Sequence, residues 1–183
     1  MLKIARQKAI LKNLKIKFLQ RDCRNVHIGN FDAVITISNA IGHLTREDFK
    51  ITTQNINRNL NTGGLYIFDI FNLDYLKHEN NIAKLTMDWM AVAGGNNVRE
   101  IQFSTISDDG ILASYSAYVE QDGHNQPTKI VKGYGNTLQV YSADELRSIL
   151  KENGFVVLNQ MGMRGEEFFK FEAERILTIA KKI

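Results

Sequence analysis

The sequence predicts a mixed α/β domain, a mostly parallel sheet with an inserted antiparallel sheet. Three observations predict it. Two near-continuously apolar runs, Phe31-Asp32-Ala33-Val34-Ile35-Thr36-Ile37 and Leu65-Tyr66-Ile67-Phe68-Asp69-Ile70-Phe71, flank a helix-length segment. That is the pattern of parallel strands buried on both faces and joined by a crossover. Between Ile82 and Tyr141, β-forming residues are broken by the turn signals Gly94-Gly95-Asn96-Asn97, Asp108-Asp109-Gly110 and Gln121-Asp122-Gly123, which is hairpin chemistry. Finally, Ser142-Ala143-Asp144-Glu145 opens a helix that leads into two more strand-like runs. At 183 residues the chain suits one domain, residues 1–183, with 82–141 as the β-rich insertion.

The elements follow in order. Met1 to about Leu14 reads as an amphipathic helix, with Leu2, Ala5, Ala9 and either Leu11 or Lys12 near one face. Ile16–Gln20 reads as a short strand that ends in Arg21-Asp22-Cys23-Arg24. The crossover helix starts at Thr45, with Asp48 three residues on, and stops at Gly63-Gly64; Phe49, Thr53, Ile56 and Leu60 recur at helical spacing and press on the sheet. In the insertion, Ile111, Ala113, Tyr115, Ala117 and Val119 alternate with Leu112, Ser114, Ser116, Tyr118 and Glu120. One face is then apolar and the other mixed, in an antiparallel sheet of three or four strands. Ser142 with Glu145 forms a capping box, and the helix it opens runs to Asn153 and stops at Gly154. Phe155–Met161 and Arg175–Lys181 are strands joined by a charged, aromatic loop without a crossover helix, so they are antiparallel.

Composition excludes several function classes. With 23 Lys+Arg against 20 Asp+Glu, the net charge of +3 makes no nucleic-acid footprint. The single cysteine, Cys23, rules out an internal disulfide and suits a reducing compartment, the cytoplasm. No apolar run approaches the ~20 residues that cross a bilayer, so no membrane partner is expected. His27, His43, His78 and His124 are scattered without metal-ligand spacing. Cys23 with His27 or His43 lacks a third residue to orient a nucleophile and its base.

Candidate functional residues lie where apolar runs stop, because open α/β sheets bind ligands beyond the carboxyl ends of their strands. These positions are Ser38-Asn39-Ala40-Ile41-Gly42-His43 and Asn72-Leu73-Asp74. Asp22 with the N–H that follows it suits a purine edge, the carboxylate accepting from an amino group and the N–H donating to a ring nitrogen; Asp also opens turns. Trp89, Tyr134 and Tyr141 either line a pocket under the inserted sheet or fill its core. Tyr134, between Gly133 and Gly135, favours a bend or a close backbone approach over ordinary packing.

Five segments in sequence resemble the class I S-adenosylmethionine-dependent methyltransferases of small molecules, which have a Rossmann-like sheet. They are Met1-Leu2-Lys3-Ile4-Ala5-Arg6, Phe18-Leu19-Gln20-Arg21-Asp22-Cys23-Arg24, Phe31-Asp32-Ala33-Val34-Ile35, Asn59-Leu60-Asn61-Thr62-Gly63-Gly64-Leu65-Tyr66-Ile67-Phe68-Asp69, and Ser142 through Phe155. The resemblance implies S-adenosylmethionine as cofactor. Asp22 would hold the adenine amino group and Cys23 would offer its backbone N–H, with Ser38, Asn39 and His43 beside the methionine end. It implies a small-molecule substrate under the insertion, with Asn72, Trp89 and Tyr134 as pocket candidates.

The resembled fold places a strand, a glycine-rich cofactor loop and a second strand before the helix that Met1–Leu14 resembles, and this sequence carries none of them ahead of Met1. The expectation is an N-terminally truncated member with impaired cofactor binding. The alternative is a non-catalytic interaction module. In the resembled strand order, 3-2-1-4-5-7-6, the gap falls between Ile16–Gln20 and Phe31–Ile37. Either those two segments pair directly, or a homodimer or a separate polypeptide covers the exposed sheet edge.

Overall fold

The computed structural model describes residues 2–93, 96–121 and 127–183, with the backbone alone at 91–93, 96, 127–132 and 134. The turn pairs Gly94-Gly95 and Asp122-Gly123, together with His124, lie outside the described residues.

Strands β1 (Phe31–Thr36) and β2 (Leu60–Phe71) are parallel neighbours, in register from Ala33 opposite Leu65 to Thr36 opposite Phe68. Helix α2 (Arg46–Arg58) crosses between them. Thr45 caps it, its hydroxyl accepting the Asp48 N–H at 3.1 Å. The predicted face is the buried one, with Phe49, Thr53, Ile56 and Leu60 all 7 % exposed or less.

The helix ends five residues earlier than Gly63, at Arg58. Asn59 closes it. The Asn59 amide oxygen accepts the Ile28 N–H at 2.9 Å, while its nitrogen donates to the carbonyls of Val26 and Asn55. Those bonds satisfy the helix end directly and release the chain into β2. Gly63 does take the positive φ expected of it, +81°, but inside β2, where the register with β1 slips.

The main sheet has the order β1-β2-β8-β7, the second half of the resembled order. Strand β8 (Arg175–Lys182) runs antiparallel between β2 and β7 (Phe155–Met161). Helix α4 (Ala143–Glu152) carries the predicted capping box. Glu145 N–H donates to Ser142 Oγ at 3.2 Å, and Ser142 N–H to Glu145 Oε2 at 2.8 Å. Phe49, Tyr66, Phe68, Tyr141, Leu146, Leu150, Phe155 and Ile176 form one core between α2, α4 and the sheet.

From β2 the chain passes through a short helix, α3 (Leu73–Lys77), and a 3-10 segment (His78–Leu85) that periodicity did not anticipate. It then enters the inserted sheet, β3 (Met87–Ala93), β4 (Asn96–Ile106), β5 (Ile111–Gln121) and β6 (Pro127–Gln139), each antiparallel to the next. The alternation along β5 holds, and it is the mixed face that turns inward. Leu112 and Ser116 are buried, because that face packs with Ile82, Leu76 and Val140 at the root of the sheet. Ile111 and Tyr115 point outward, Tyr115 stacked on Phe103 with ring centroids 5.1 Å apart.

The root of this sheet is fastened to the main domain. The turn at Ser107–Gly110 is closed by Gly110 N–H to Ser107 O, and Gly110 O accepts the Val140 N–H at 2.8 Å. Arg46, at the start of α2, donates to Asp109 O at 2.8 Å and to Glu145 Oε1 at 2.6 Å, and its guanidinium lies 5.2 Å from the Tyr141 ring centre.

Two expectations for the N-terminal part are corrected. Helix α1 (Leu2–Leu11) turns Ala9 inward, but Leu11 is exposed. Ile16–Gln20 forms no strand. A strand exists by its ladder, and none forms here; what holds this stretch is the Arg6 guanidinium on Phe18 O at 3.4 Å. Among the described residues β1 pairs only with β2, so direct pairing of Ile16–Gln20 with β1 does not occur. The free edge of β1 leaves Phe31, Ile35 and Ile37 exposed.

Candidate cofactor and substrate site

The turn at Asp22–Cys23 is docked on α2. Asp22 Oδ1 accepts the Arg24 backbone N–H at 2.9 Å, and Oδ2 accepts Arg24 Nη2 at 2.7 Å. Arg24 Nη1 reaches on to Asp48 Oδ1 at 2.9 Å. Cys23 O accepts from Asn55 Nδ2 at 3.0 Å, and its sulfur lies 3.6 Å from the Thr52 hydroxyl. No protein acceptor meets the Cys23 N–H among the described residues.

Arg24's side-chain hydrogen bonds, followed by its backbone N–H, hold the Asp22 carboxyl at a pKa of about 2, below the usual carboxylate value. A depressed pKa means the contact is complete above the ordinary carboxylate range and is lost as pH falls through the folded-state value. A carbon-detected NMR titration is expected to place the Asp22 carboxyl midpoint at about 2; a midpoint in the ordinary range would show that Arg24 does not hold it.

The second candidate segment follows β1. Ser38 (φ +62°) and Asn39 (φ +59°) are consecutive non-glycine residues in the left-handed region, a conformation that needs support from its surroundings. Asp69 Oδ1 supplies it by accepting the Ser38 N–H at 2.6 Å. Asn39 is itself buried and its side-chain oxygen accepts the Phe71 N–H at 3.0 Å. Asp69 is fully buried in β2, and its other oxygen pairs with the Arg175 guanidinium. That guanidinium lies 5.0 Å from the Phe71 ring centre. A 3-10 turn, Ala40–His43, completes the segment and leaves His43 exposed. Gly42 is tightly enclosed there: a Cβ would stand 2.9 Å from Ile70 Cδ1 and 3.1 Å from Gln139 O, so a side chain would require its neighbours to shift.

The two segments flank one groove of about 300 Å³ beside α2, lined by Cys23, Val26, Thr36, Ala40, Leu44, Asn55 and neighbours. A shallower depression of about 420 Å³ lies between His43, Thr45 and the root of the inserted sheet at Thr137 and Gln139. Asp22, Cys23, Ser38, Asn39 and His43 therefore collect around α2 and the carboxyl end of β1.

The pocket candidates are not gathered in this way. Asn72 is fully buried and spent as a strap: its nitrogen donates to Lys170 O and Ala173 O, both at 2.8 Å, and its oxygen accepts the Asp74 N–H. Trp89 stands half-exposed on β3, donating Nε1–H to Glu100 Oε2 at 2.7 Å. Tyr134 lies opposite Ser116 on β6, and its side chain is outside the described residues. Tyr141 fills the core against Phe49.

Sequence reasoning missed Asp69 and Arg175. The signal was present: a carboxylate in the middle of a strand buried on both faces demands a hydrogen-bonded partner.

Residues 1–64 match the methyltransferase-domain family. No match was found among curated proteins. Solved structures resemble the whole chain. A S-adenosylmethionine-dependent methyltransferase from Clostridium acetobutylicum superposes with a TM-score of 0.76 at 21% identity, covering 99% of this chain and 70% of that one. The CcbJ methyltransferase from Streptomyces caelestis gives 0.77 at 12% identity, covering 100% and 75%. CalS10, an amino pentose methyltransferase from Micromonospora echinaspora, gives 0.68 at 14%, covering 89% of this chain but 63% of its own length. The chain thus has the fold of the class I S-adenosylmethionine-dependent methyltransferases, and its first 64 residues carry the sequence pattern of their methyltransferase domain.

Proposed function

We propose that the chain serves S-adenosylmethionine-dependent methylation of a small molecule in the cytoplasm, and that by itself it holds the cofactor weakly. The observation that carries the reading is that the Asp22–Cys23 turn, docked on α2, and the Ser38–His43 segment, held by β2, both line one apolar groove through Cys23, Ala40 and Ile41.

The residues present fit an adenine edge. Asp22 is held ionised, and the adjacent Cys23 N–H has no protein acceptor among the described residues. Ser38 and His43, both exposed, are the groups available to the methionine end, while Asn39 shapes the loop. When bound, S-adenosylmethionine supplies an electrophilic methyl group. The chain's part is to hold the acceptor in line with it, which needs position rather than a dedicated base. The inserted sheet, rooted against Gly42, is the surface from which an acceptor would be positioned. Acceptors of the amino-sugar kind, named for CalS10 and for the sugar N-methyltransferase KedS8, are the first to test.

Weak binding is expected because no glycine-rich turn joins a strand to a helix among the described residues. Calorimetry with S-adenosylhomocysteine tests both parts. Measurable binding weaker than micromolar is expected, and Asp22→Ala is expected to weaken it about tenfold to a hundredfold, the loss of a charged hydrogen bond. Micromolar or tighter binding would overturn the impairment, and binding indifferent to Asp22 would overturn the site.

A second reading, a non-catalytic interaction module, is favoured by the free β1 edge with exposed Phe31, Ile35 and Ile37. It predicts a homodimer, or another polypeptide, over that edge. Light scattering at rising concentration checks the first form; a strictly monomeric chain excludes the homodimer.

A further inference from the structure

We infer that Asp69 is a positioning residue for the segment after β1: its carboxylate sets the left-handed backbone of Ser38 and Asn39, and so sets the site that the preceding section assigns to the methionine end of the cofactor. The inference rests on that reading for its functional consequence and on geometry alone for its physical content.

Three contacts form a chain. Asp69 Oδ1 takes the Ser38 N–H at 2.6 Å. Ser38 and Asn39 then both lie at φ near +60°, a backbone that a non-glycine residue keeps only where its surroundings hold it there. With its backbone so turned, Asn39 directs its side-chain oxygen onto the Phe71 N–H at 3.0 Å and its carbonyl onto the Gly42 N–H at 2.9 Å. One carboxylate at the middle of β2 thereby fixes where Ser38, Ala40 and His43 emerge. Arg175 is needed for a different reason. It neutralises a carboxylate that is wholly buried, and its own hydrogen bond goes to Asp69 and not to the loop. Removing Arg175 and removing the Asp69 carboxylate should therefore both cost stability, while only the second releases the loop.

Two measurements on the full chain separate these roles. Amide hydrogen exchange reads the loop without any ligand. In Asp69→Leu, which keeps the shape but has no acceptor, exchange at Ser38 is expected to accelerate on the order of tenfold or more, and at Phe71 likewise, because the Asn39 bond depends on the same backbone turn. In Arg175→Gln both amides are expected to keep their protection relative to the rest of β2. NMR titration with S-adenosylhomocysteine reads the site. Affinity is expected to fall on the order of tenfold in Asp69→Leu and to be kept in Arg175→Gln. It should be largely restored in Asp69→Leu/Ser38→Gly, since glycine adopts the left-handed backbone at no steric cost, although that double variant does not regain the melting temperature.

Unchanged exchange at Ser38 and Phe71 in Asp69→Leu would overturn the inference, as would equal losses in both single variants or no rescue by glycine. If the unaltered chain binds no S-adenosylhomocysteine, the proposed function falls, and the exchange data still decide the role of Asp69.

Discussion

Replacing Asp69 by alanine is expected to destabilise the fold by about 3–5 kcal/mol, the range measured when one member of a buried ion pair is removed. The change strips Arg175 of its counter-charge; its side chain is 24% exposed, so water relieves only part of the penalty. It also leaves the Ser38 N–H without its acceptor. Against a total stability of about 5–15 kcal/mol for a domain, the loss is large. Urea denaturation followed by circular dichroism checks it, with the midpoint falling and the slope unchanged. A loss below about 1 kcal/mol would mean that the pair is too well hydrated to matter.

Phe49→Ala is expected to cost a comparable amount, about 3–5 kcal/mol, through a cavity that neighbours cannot close. Phe49 is fully buried, meeting Phe68 edge-on at 5.9 Å and Tyr141 at 5.3 Å. Those contacts join α2 to β2 and to the residue that leads from the inserted sheet into α4. Relaxation in any one of the three elements is resisted by the other two. The same denaturation experiment reads it, and Phe49→Leu, which keeps most of the volume, should recover more than half of the loss. If both substitutions cost the same, shape rather than volume governs the site.

What could be read from the sequence was whatever is decided locally. The runs Phe31–Ile37 and Leu65–Phe71 announced β1 and β2 by their near-continuous apolar character; β2 buries that character, whereas β1, at the sheet edge, leaves Phe31 and Ile35 exposed. Thr45 and Ser142 announced their helices because a cap is chemistry within three residues. The alternation along β5 was legible too, but not which side faces inward. That was decided by Ile82, Leu76 and Val140, which are distant in the chain. Ile16–Gln20 shows the complementary failure: its residues suit a strand, yet strand identity belongs to a pair, and no partner lies beside it.

Around the site, Asp22, Cys23 and the Ser38–His43 segment were visible as polar residues at strand ends. Their supports were not. Asn55 and Arg24 hold the first turn and Asp69 holds the second, each from a position that reads as ordinary helix surface, loop or strand interior. Asn72 shows the converse, a strand-end polar residue whose nitrogen is consumed in fastening the β7–β8 connection and whose oxygen caps α3.

Arg46 has a mechanical consequence. One guanidinium grips the Asp109 carbonyl of the inserted sheet and the Glu145 carboxylate that caps α4, and it rests on Tyr141 between them. Tilting the sheet about its root would pull, through this one side chain, on the first turn of α4. Any movement that admits or releases an acceptor is therefore geared to the fraying of that helix, and a fluorophore placed on α4 would report the swing of a sheet it never touches.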